Sequence, residues 1–410
     1  MTTMTAPVVP RPRHDLVDEV GGADPTDERR LLKFQVPEMV FGLDSLAEAG
    51  FCAGRLGARR PFVVTDPGII EAGWVAELVL HLREVGLHPE VWAGVTPNPK
   101  DHEIEAGLQA YVESGADVII GIGGGSALDA AKGIAILSGN GGSILGYAGV
   151  DLVTRPIPPL LMIPSTSGSG SDVSQFCIVT DTRHAVKMTI MGRSVVPDIS
   201  LTDPRLLASM PPELAAATGL DALTHAIESY VSLGHNPLAD GHALNAARLV
   251  GKALNRSVDA PRDERARLWM AQASLEAGLA FSNAILGATH AMSHQVGGLL
   301  DLPHGVVNGV LLPHVVRFNA AVVPERFAAL AQAMGLEVGG VPHDVAAELL
   351  AEHVAGLAES VGAPRRLSDL GVGADDVERM AATAVRDACL TTNPRPASQD
   401  EIAHLFREAL

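Results

Sequence analysis

Cysteine is scarce in this 410-residue chain: Cys52, Cys177 and Cys389 stand far apart, form no metal-type pair and offer no disulfide framework. That argues against a disulfide-stapled secreted scaffold and against a thiolate-rich structural zinc site. A reducing cytoplasm is the expected setting. Long apolar runs are missing too. None reaches the length needed to span a bilayer, and the N-terminus lacks the apolar core of a signal peptide, so no membrane partner is expected. Positive charge is also short, with 30 Lys and Arg against 48 Asp and Glu and a net charge of −18. The acidic residues are dispersed, which leaves no basic surface for nucleic acid. What remains is a 47% hydrophobic, globular composition, in a chain too long for one compact core.

The pattern divides the chain in three. Residues 1–30 combine Pro, Gly and charged residues in a composition that buries too little to order itself, and read as a flexible tail. Over 31–205, short apolar runs alternate with helical ones: 61–66, a helix near 71–85, 90–92, a helix near 101–114, and 117–121. Strands alternating with helices imply βαβ units and a parallel sheet. The runs 159–164 and 177–180 are expected to extend that sheet. Over 206–410, Ala- and Leu-rich periodic segments such as 240–254 and 264–281 predict a mostly helical domain.

Two polar turns lie in the first half. Asp117-Val-Ile-Ile-Gly-Ile-Gly-Gly-Gly-Ser126 runs straight into a helical stretch, a geometry that aims backbone N–H groups at an anion such as a nucleotide pyrophosphate. Ser126 stands where the third glycine of G-x-G-x-x-G belongs, and a purely structural strand–helix turn has the same look. The second turn, Pro164-Ser-Thr-Ser-Gly-Ser-Gly-Ser-Asp172, places hydroxyls at a strand's carboxyl end, the usual ligand edge of an α/β sheet. Asp66 ends an early strand. There it either accepts from a ribose diol and repels a 2′-phosphate, favouring NAD over NADP, or caps the next helix.

The second half carries a carboxylate and several imidazoles at metal-ligand spacing. Asp221 and His225 are four apart, as are His290 and His294, and His304 follows in a Pro-His-Gly turn. On helices each pair shares a face. Such a set suits Fe(II), Zn(II), Mn(II) or Co(II).

Together, Val64-Thr-Asp66, Pro97-Asn-Pro99, Gly123-Gly-Gly-Ser126 with Asp129, the 164–172 loop, Asp221-Ala-Leu-Thr-His225, Gly287-Ala-Thr-His-Ala-Met-Ser-His294 and Leu302-Pro-His-Gly-Val-Val-Asn308 resemble the iron-containing (group III) alcohol dehydrogenase family. The resemblance runs from about Lys33 to the C-terminus. Ser165, Ser167 and Asp172 replace the family's more usual Thr, Ala and Glu. The resemblance implies an α/β dinucleotide-binding domain followed by an all-α metal-binding domain, the dehydroquinate synthase-like fold. It implies Asp221, His225, His290 and His304 as ligands of Fe(II), with Zn(II) as the alternative, and His294 beside the metal, facing substrate and nicotinamide. It places the pyrophosphate on Gly123, Gly124, Gly125 and Ser126, with Asp129 in the same motif. Asp66 would face the adenosine ribose, with Asn98, Thr166 and Ser169 along the dinucleotide. Phe176, Ile178, Phe281 and Cys389 would line the substrate pocket.

The expected activity is NAD-linked hydride transfer to or from a small primary alcohol or its aldehyde, in a homodimer or larger assembly. A same-fold dehydrogenase of 4-hydroxybutyrate, glycerol, a diol or phosphonoacetaldehyde is the alternative, and a catalytically silent NAD or metal sensor is the remaining one.

Overall fold

The computed structural model describes residues 34–410 other than Ala185 and Asp301, and the expected tail over 1–30 lies outside them. Strands β1 (Glu38–Phe41), β2 (Pro61–Val64), β3 (Glu90–Trp92), β4 (Val118–Gly123), β5 (Gly149–Val150), β6 (Leu160–Pro164), β7 (Phe176–Asp181), β8 (Val186–Met191) and β9 (Ile199–Thr202) fall in the first half. Helices α1 (Ala49–Arg55), α2 (Pro67–Glu71), α3 (Trp74–Glu84), α4 (Asp101–Ser114) and α5 (Gly125–Asn140) are interleaved with them. The helix expected near 71–85 is thus interrupted at Gly73, whose φ of 87° no ordinary helix holds.

Six strands form a parallel sheet in the order β1-β9-β6-β4-β2-β3. Every residue of β2, β4, β6 and β9 is buried, as a parallel sheet covered on both faces requires. Side-chain alternation splits the core accordingly. Phe62, Ile119, Leu160 and Met162 pack towards α4 and α5, whereas Val63, Ile120, Ile122 and Leu161 pack towards α1 and α3. The run 177–180 does not extend this sheet. It lies in β7, which pairs antiparallel with β8 in a separate three-stranded sheet, β5-β8-β7. Its apolar run predicted a strand but carried no information about its partner.

β3 lies on one side of β2 and β4 on the other, so the strand order reverses between β2 and β4. A crevice opens at their carboxyl ends, the usual ligand position in such sheets. Asp66 follows β2 there, and the Gly123–Ser126 turn joins β4 to α5.

From Pro212 onward every regular element among the described residues is a helix. These are α6 (Pro212–Val231), α7 (Pro237–Asp259), α8 (Glu264–Ala284), α9 (Ala288–Leu300), α10 (His304–Ala320), α11 (Pro324–Ala333), α12 (His343–Ser360), α13 (Val377–Ala384) and α14 (Gln399–Ala409), with short 3-10 turns between some of them. α6 is the axis of this half: nearly all of Ala215–Val231 is buried, against α7, α8 and α10. α10 begins hard against α6. A Cβ on Gly305 would come within 1.8 Å of the Ala217 carbonyl oxygen and 3.1 Å of the Asp221 Cβ. Only glycine lets the two backbones approach so closely.

Gly305→Ala therefore separates α10 from α6. The metal-free variant is expected to lose about 3 kcal/mol of stability in urea unfolding, together with the seating of His304. An unchanged unfolding midpoint would show that α10 can shift without cost.

Candidate metal and dinucleotide site

Four side chains from three helices converge at one point. Asp221 and His225 lie one turn apart on α6, His290 on α9, and His304 is the first residue of α10 rather than part of a free turn. Asp221, His225 and His290 are buried, at 8%, 5% and 1% exposure. Asp221 Oδ1 is 3.8 Å from His225 Nε2 and 3.7 Å from His290 Nε2. Those distances are too long for hydrogen bonds. They approach the edge of a tetrahedron around a metal, roughly 3.4 Å for bonds of about 2.1 Å. The donor atoms of Asp221, His290 and His304 lie within 4.8 Å of one another. The His225 ring stacks on that of His290, with centroids 4.6 Å apart. A borderline-soft divalent cation fits this donor set.

The cluster forms one end of a cavity of about 920 Å³. Of the candidate metal, cofactor, catalytic and substrate-pocket residues read from the sequence, all except Gly123 line it. The dinucleotide end is built by close backbone approach. Gly123, at φ 150°, has no room for a Cβ, which would stand 2.7 Å from that of Ala127, and a Cβ on Gly125 would stand 2.8 Å from the Ser169 Cβ. Gly124 caps α5, its carbonyl accepting from the Ala127 and Leu128 N–H groups, and Gly124, Gly125 and Ser126 at this helix N-terminus line the cavity. Asn98 sits between two prolines at φ 56°, tied by its N–H to the Ser126 hydroxyl at 3.1 Å. Asp66 does cap α2, Oδ1 accepting from Ile69 N at 3.2 Å, while Oδ2 faces the Gly123 backbone. The capping alternative raised from the sequence is therefore realised. Thr166 and Ser169 line the cavity from the opposite loop. Asp129 is buried at the cavity wall, accepts from the Ser171 hydroxyl at 2.5 Å, and burial pushes its carboxyl up to about 6 against the pull of Lys132.

Between the two ends stands an apolar wall. Phe176, Phe281, Leu286 and Cys389 form one buried cluster, with Ile178 lining the cavity beyond it. Phe281 stacks on His225 at 4.3 Å. Ile285, between Phe281 and Leu286, holds φ 65° and ψ −172°, a region almost reserved for glycine.

Two family models account for the folded chain: iron-containing alcohol dehydrogenase matches residues 37–204, and the C-terminal part of the Fe-containing alcohol dehydrogenase family matches 215–410. The chain belongs to the iron-containing alcohol dehydrogenase family. It is 42% identical to 1,3-propanediol dehydrogenase of Citrobacter freundii over 383 residues, covering 93% of this chain and 99% of that one. With NAD-dependent methanol dehydrogenase of Bacillus methanolicus it shares 36% identity over 377 residues, 92% of this chain and 99% of the other. A solved 1,3-propanediol oxidoreductase has the same fold, with a TM-score of 0.91 at 40% identity over 93% of this chain and 100% of that one. The resemblance read from the motifs and the two-part fold are both borne out. This family member is an oxidoreductase acting on CH–OH groups.

Several supporting residues had not been singled out from sequence. Glu228, 2% exposed, accepts from the N–H groups of Gly287 at 3.0 Å and Thr289 at 2.5 Å, and from His290 Nδ1 at 2.6 Å. It thereby fixes the His290 tautomer, leaving Nε2 for the ion. The Gly168 carbonyl does the same for His225 at 3.1 Å, and Asn308 donates to Asp221 Oδ1 at 2.8 Å. Asp387 accepts from His294 Nδ1 at 2.8 Å. Glu228 follows Asp221 by seven residues and Asn308 follows His304 by four, so both spacings were visible as helix-face patterns. Asp387 is 93 residues from His294 and had no such signal.

Burial opposes charge throughout the centre, yet Asp221 is held well below the usual carboxylate range by His225, His290 and His304. Burial brings His225 down to about 4 despite Asp221, and puts His304 well below its ordinary value. His290 goes the other way. Burial is outweighed there by Asp221 and Glu228, which push it up to about 9. In the metal-free protein at neutral pH, His290 alone of these three histidines keeps a proton that an incoming ion must displace. Metal affinity should accordingly rise with pH until about 9 and then level, with about one proton released per ion. Calorimetry in buffers of different ionisation enthalpy measures this, and no proton release would refute the assignment. Glu228→Gln should weaken metal binding about 10–100-fold.

Proposed function

We propose that this family member uses Fe(II), with Zn(II) as the alternative ion, held by Asp221, His225, His290 and His304, to interconvert small primary alcohols or diols and their aldehydes with NAD. The observation that carries this is the spacing of the donor atoms, 3.7–3.8 Å around Asp221 Oδ1, at the end of a cavity that continues to a helix N-terminus. Residues 31–205 would hold the dinucleotide and 206–410 supply the metal ligands.

A divalent ion supplies Lewis acidity to the substrate oxygen, and the nicotinamide supplies the hydride acceptor. The chain's own groups do the rest. Glu228, Gly168 and Asn308 hold three ligands in register. The first turn of α5, with Gly124, Gly125 and Ser126, receives the pyrophosphate, while Asp66 presents a carboxylate to the adenosine ribose and disfavours a 2′-phosphate. Phe176, Phe281, Leu286 and Cys389 exclude water from the reacting carbon, and His294 moves the hydroxyl proton.

The apolar wall favours short, uncharged substrates. Lys187 and Thr189 line the same cavity and support a second reading, an alcohol with a polar or anionic tail. A reducing cytoplasm suits the three cysteines, which are free and buried, and no helix among the described residues is long and apolar enough to cross a membrane. Among the described residues, edge strand β1 pairs only with β9 and exposes Met39 and Phe41, a face suited to a second copy of the chain.

Metal-stripped protein, reconstituted anaerobically with Fe(II) or Zn(II), should form NADH from primary alcohols and diols. A preference for hydroxy acids would favour the second reading, and no turnover with either ion despite NAD binding would point to a sensor. His304→Ala should lose turnover and metal while still binding NADH. His294→Ala should keep its metal with turnover reduced about 100-fold; loss of the metal would make His294 a ligand.

A further inference from the structure

We propose that Asp387 is a positioning residue that sets the ring orientation and tautomer of His294, leaving Nε2 as the lone pair that takes the substrate proton. The inference rests on the proton-moving role given to His294 above.

Asp387 caps the 3-10 turn Ala388–Thr392. Its two carboxylate oxygens have separate partners: Oδ1 accepts the Cys389 backbone N–H at 2.9 Å, and Oδ2 accepts from His294 Nδ1 at 2.8 Å. Both side chains are shielded, at 14% and 13% exposure, which makes the contact stronger than a surface pair. His294, Asp387 and Cys389 also have donor atoms within 4.8 Å of one another, so a second metal site has to be weighed. The distances decide against it. The His294–Asp387 contact is a hydrogen bond in length, about 1 Å shorter than the Asp221 spacings in the metal cluster. Burial also pushes the Cys389 thiol well up, so it stays protonated and is a poor ligand.

An ionised carboxylate only accepts, so the hydrogen it receives must sit on Nδ1. Nε2 then carries the lone pair, and the ring lies nearly parallel to His304, 5.2 Å away, at the metal end of the cavity. In alcohol oxidation the hydroxyl proton passes to Nε2, directly or through water, while the hydride leaves for nicotinamide. The Nδ1–H stays on the ring, donated to Asp387, whose carboxylate stabilises the imidazolium. In aldehyde reduction Nε2 returns the proton.

The Cys389 N–H makes the consequence of substitution specific. In Asp387→Asn that N–H requires the amide oxygen, which turns the NH₂ towards His294 Nδ1. Nδ1 must then accept, and the hydrogen moves to Nε2, the wrong tautomer. The near-isosteric Asn should therefore be more damaging than Ala, which leaves the tautomer free. A merely structural role predicts the reverse.

The test compares wild type, Asp387→Asn, Asp387→Ala, His294→Ala and the Asp387→Asn/His294→Ala double variant, all Fe(II)-loaded with metal content measured, on 1-propanol and 1,3-propanediol. Asp387→Asn should lower kcat about 100-fold with KM nearly unchanged, exceed the loss in Asp387→Ala, and add less than about 3-fold in the His294→Ala background. Losses that multiply in the double variant, or Ala worse than Asn, overturn the inference alone. Full turnover by His294→Ala overturns the proton role itself. Independently of turnover, ¹⁵N spectra of histidine-labelled, Zn(II)-loaded protein, with the His294 signal assigned by its loss in His294→Ala, should show Nδ1–H in wild type and Nε2–H in Asp387→Asn. An unchanged tautomer overturns the inference.

Discussion

A single buried carboxylate, Glu228, ties the second half of the molecule together. It projects from α6 into the start of α9, where the Gly287 and Thr289 N–H groups and the His290 ring all donate to it. The positive end of the helix and these donors stabilise a charge that burial alone would expel. In return the carboxylate satisfies N–H groups that would be costly to bury unpaired, and it orients the His290 ring. Helix packing and ligand geometry are therefore one interaction here.

Histidine–carboxylate contacts fall into two classes around the site. At 2.6 and 2.8 Å, Glu228 and Asp387 accept a hydrogen bond from Nδ1 of a ring and so settle which nitrogen keeps its hydrogen. At 3.7 and 3.8 Å, Asp221 stands off from two rings and leaves room for a cation between them. The same pair of residue types thus closes a hydrogen bond in one place and leaves a cation-sized gap in the other. Distance, set by backbone position, decides which.

The dinucleotide end is coupled to the metal end through the 164–172 loop. Gly168 lies so close to α6 that a Cβ there would meet the Thr218 carbonyl oxygen at 2.3 Å, and its own carbonyl holds His225. Ser169 in the same loop crowds Gly125 of the phosphate-facing turn. One loop therefore touches both binding ends, and glycine is required on each side because neither contact leaves room for a Cβ.

The sequence by itself determined the local periodicities and the elements they build. Alternating strands and helices specified the α/β half, and the four-residue steps of Asp221 with His225 and His290 with His294 specified shared helix faces, because both patterns depend only on backbone geometry within one element. The partners of those elements were decided by tertiary packing. β7 joined a separate antiparallel sheet, Glu228 became the anchor of α9, and Asp387 reached His294 across 93 residues, since nothing in a local period says which surface a buried face will meet. Asp66 is the intermediate case. Its place after β2 was legible, but only the fold shows one oxygen capping α2 while the other turns to the Gly123 backbone, because that sharing depends on two strands lying side by side.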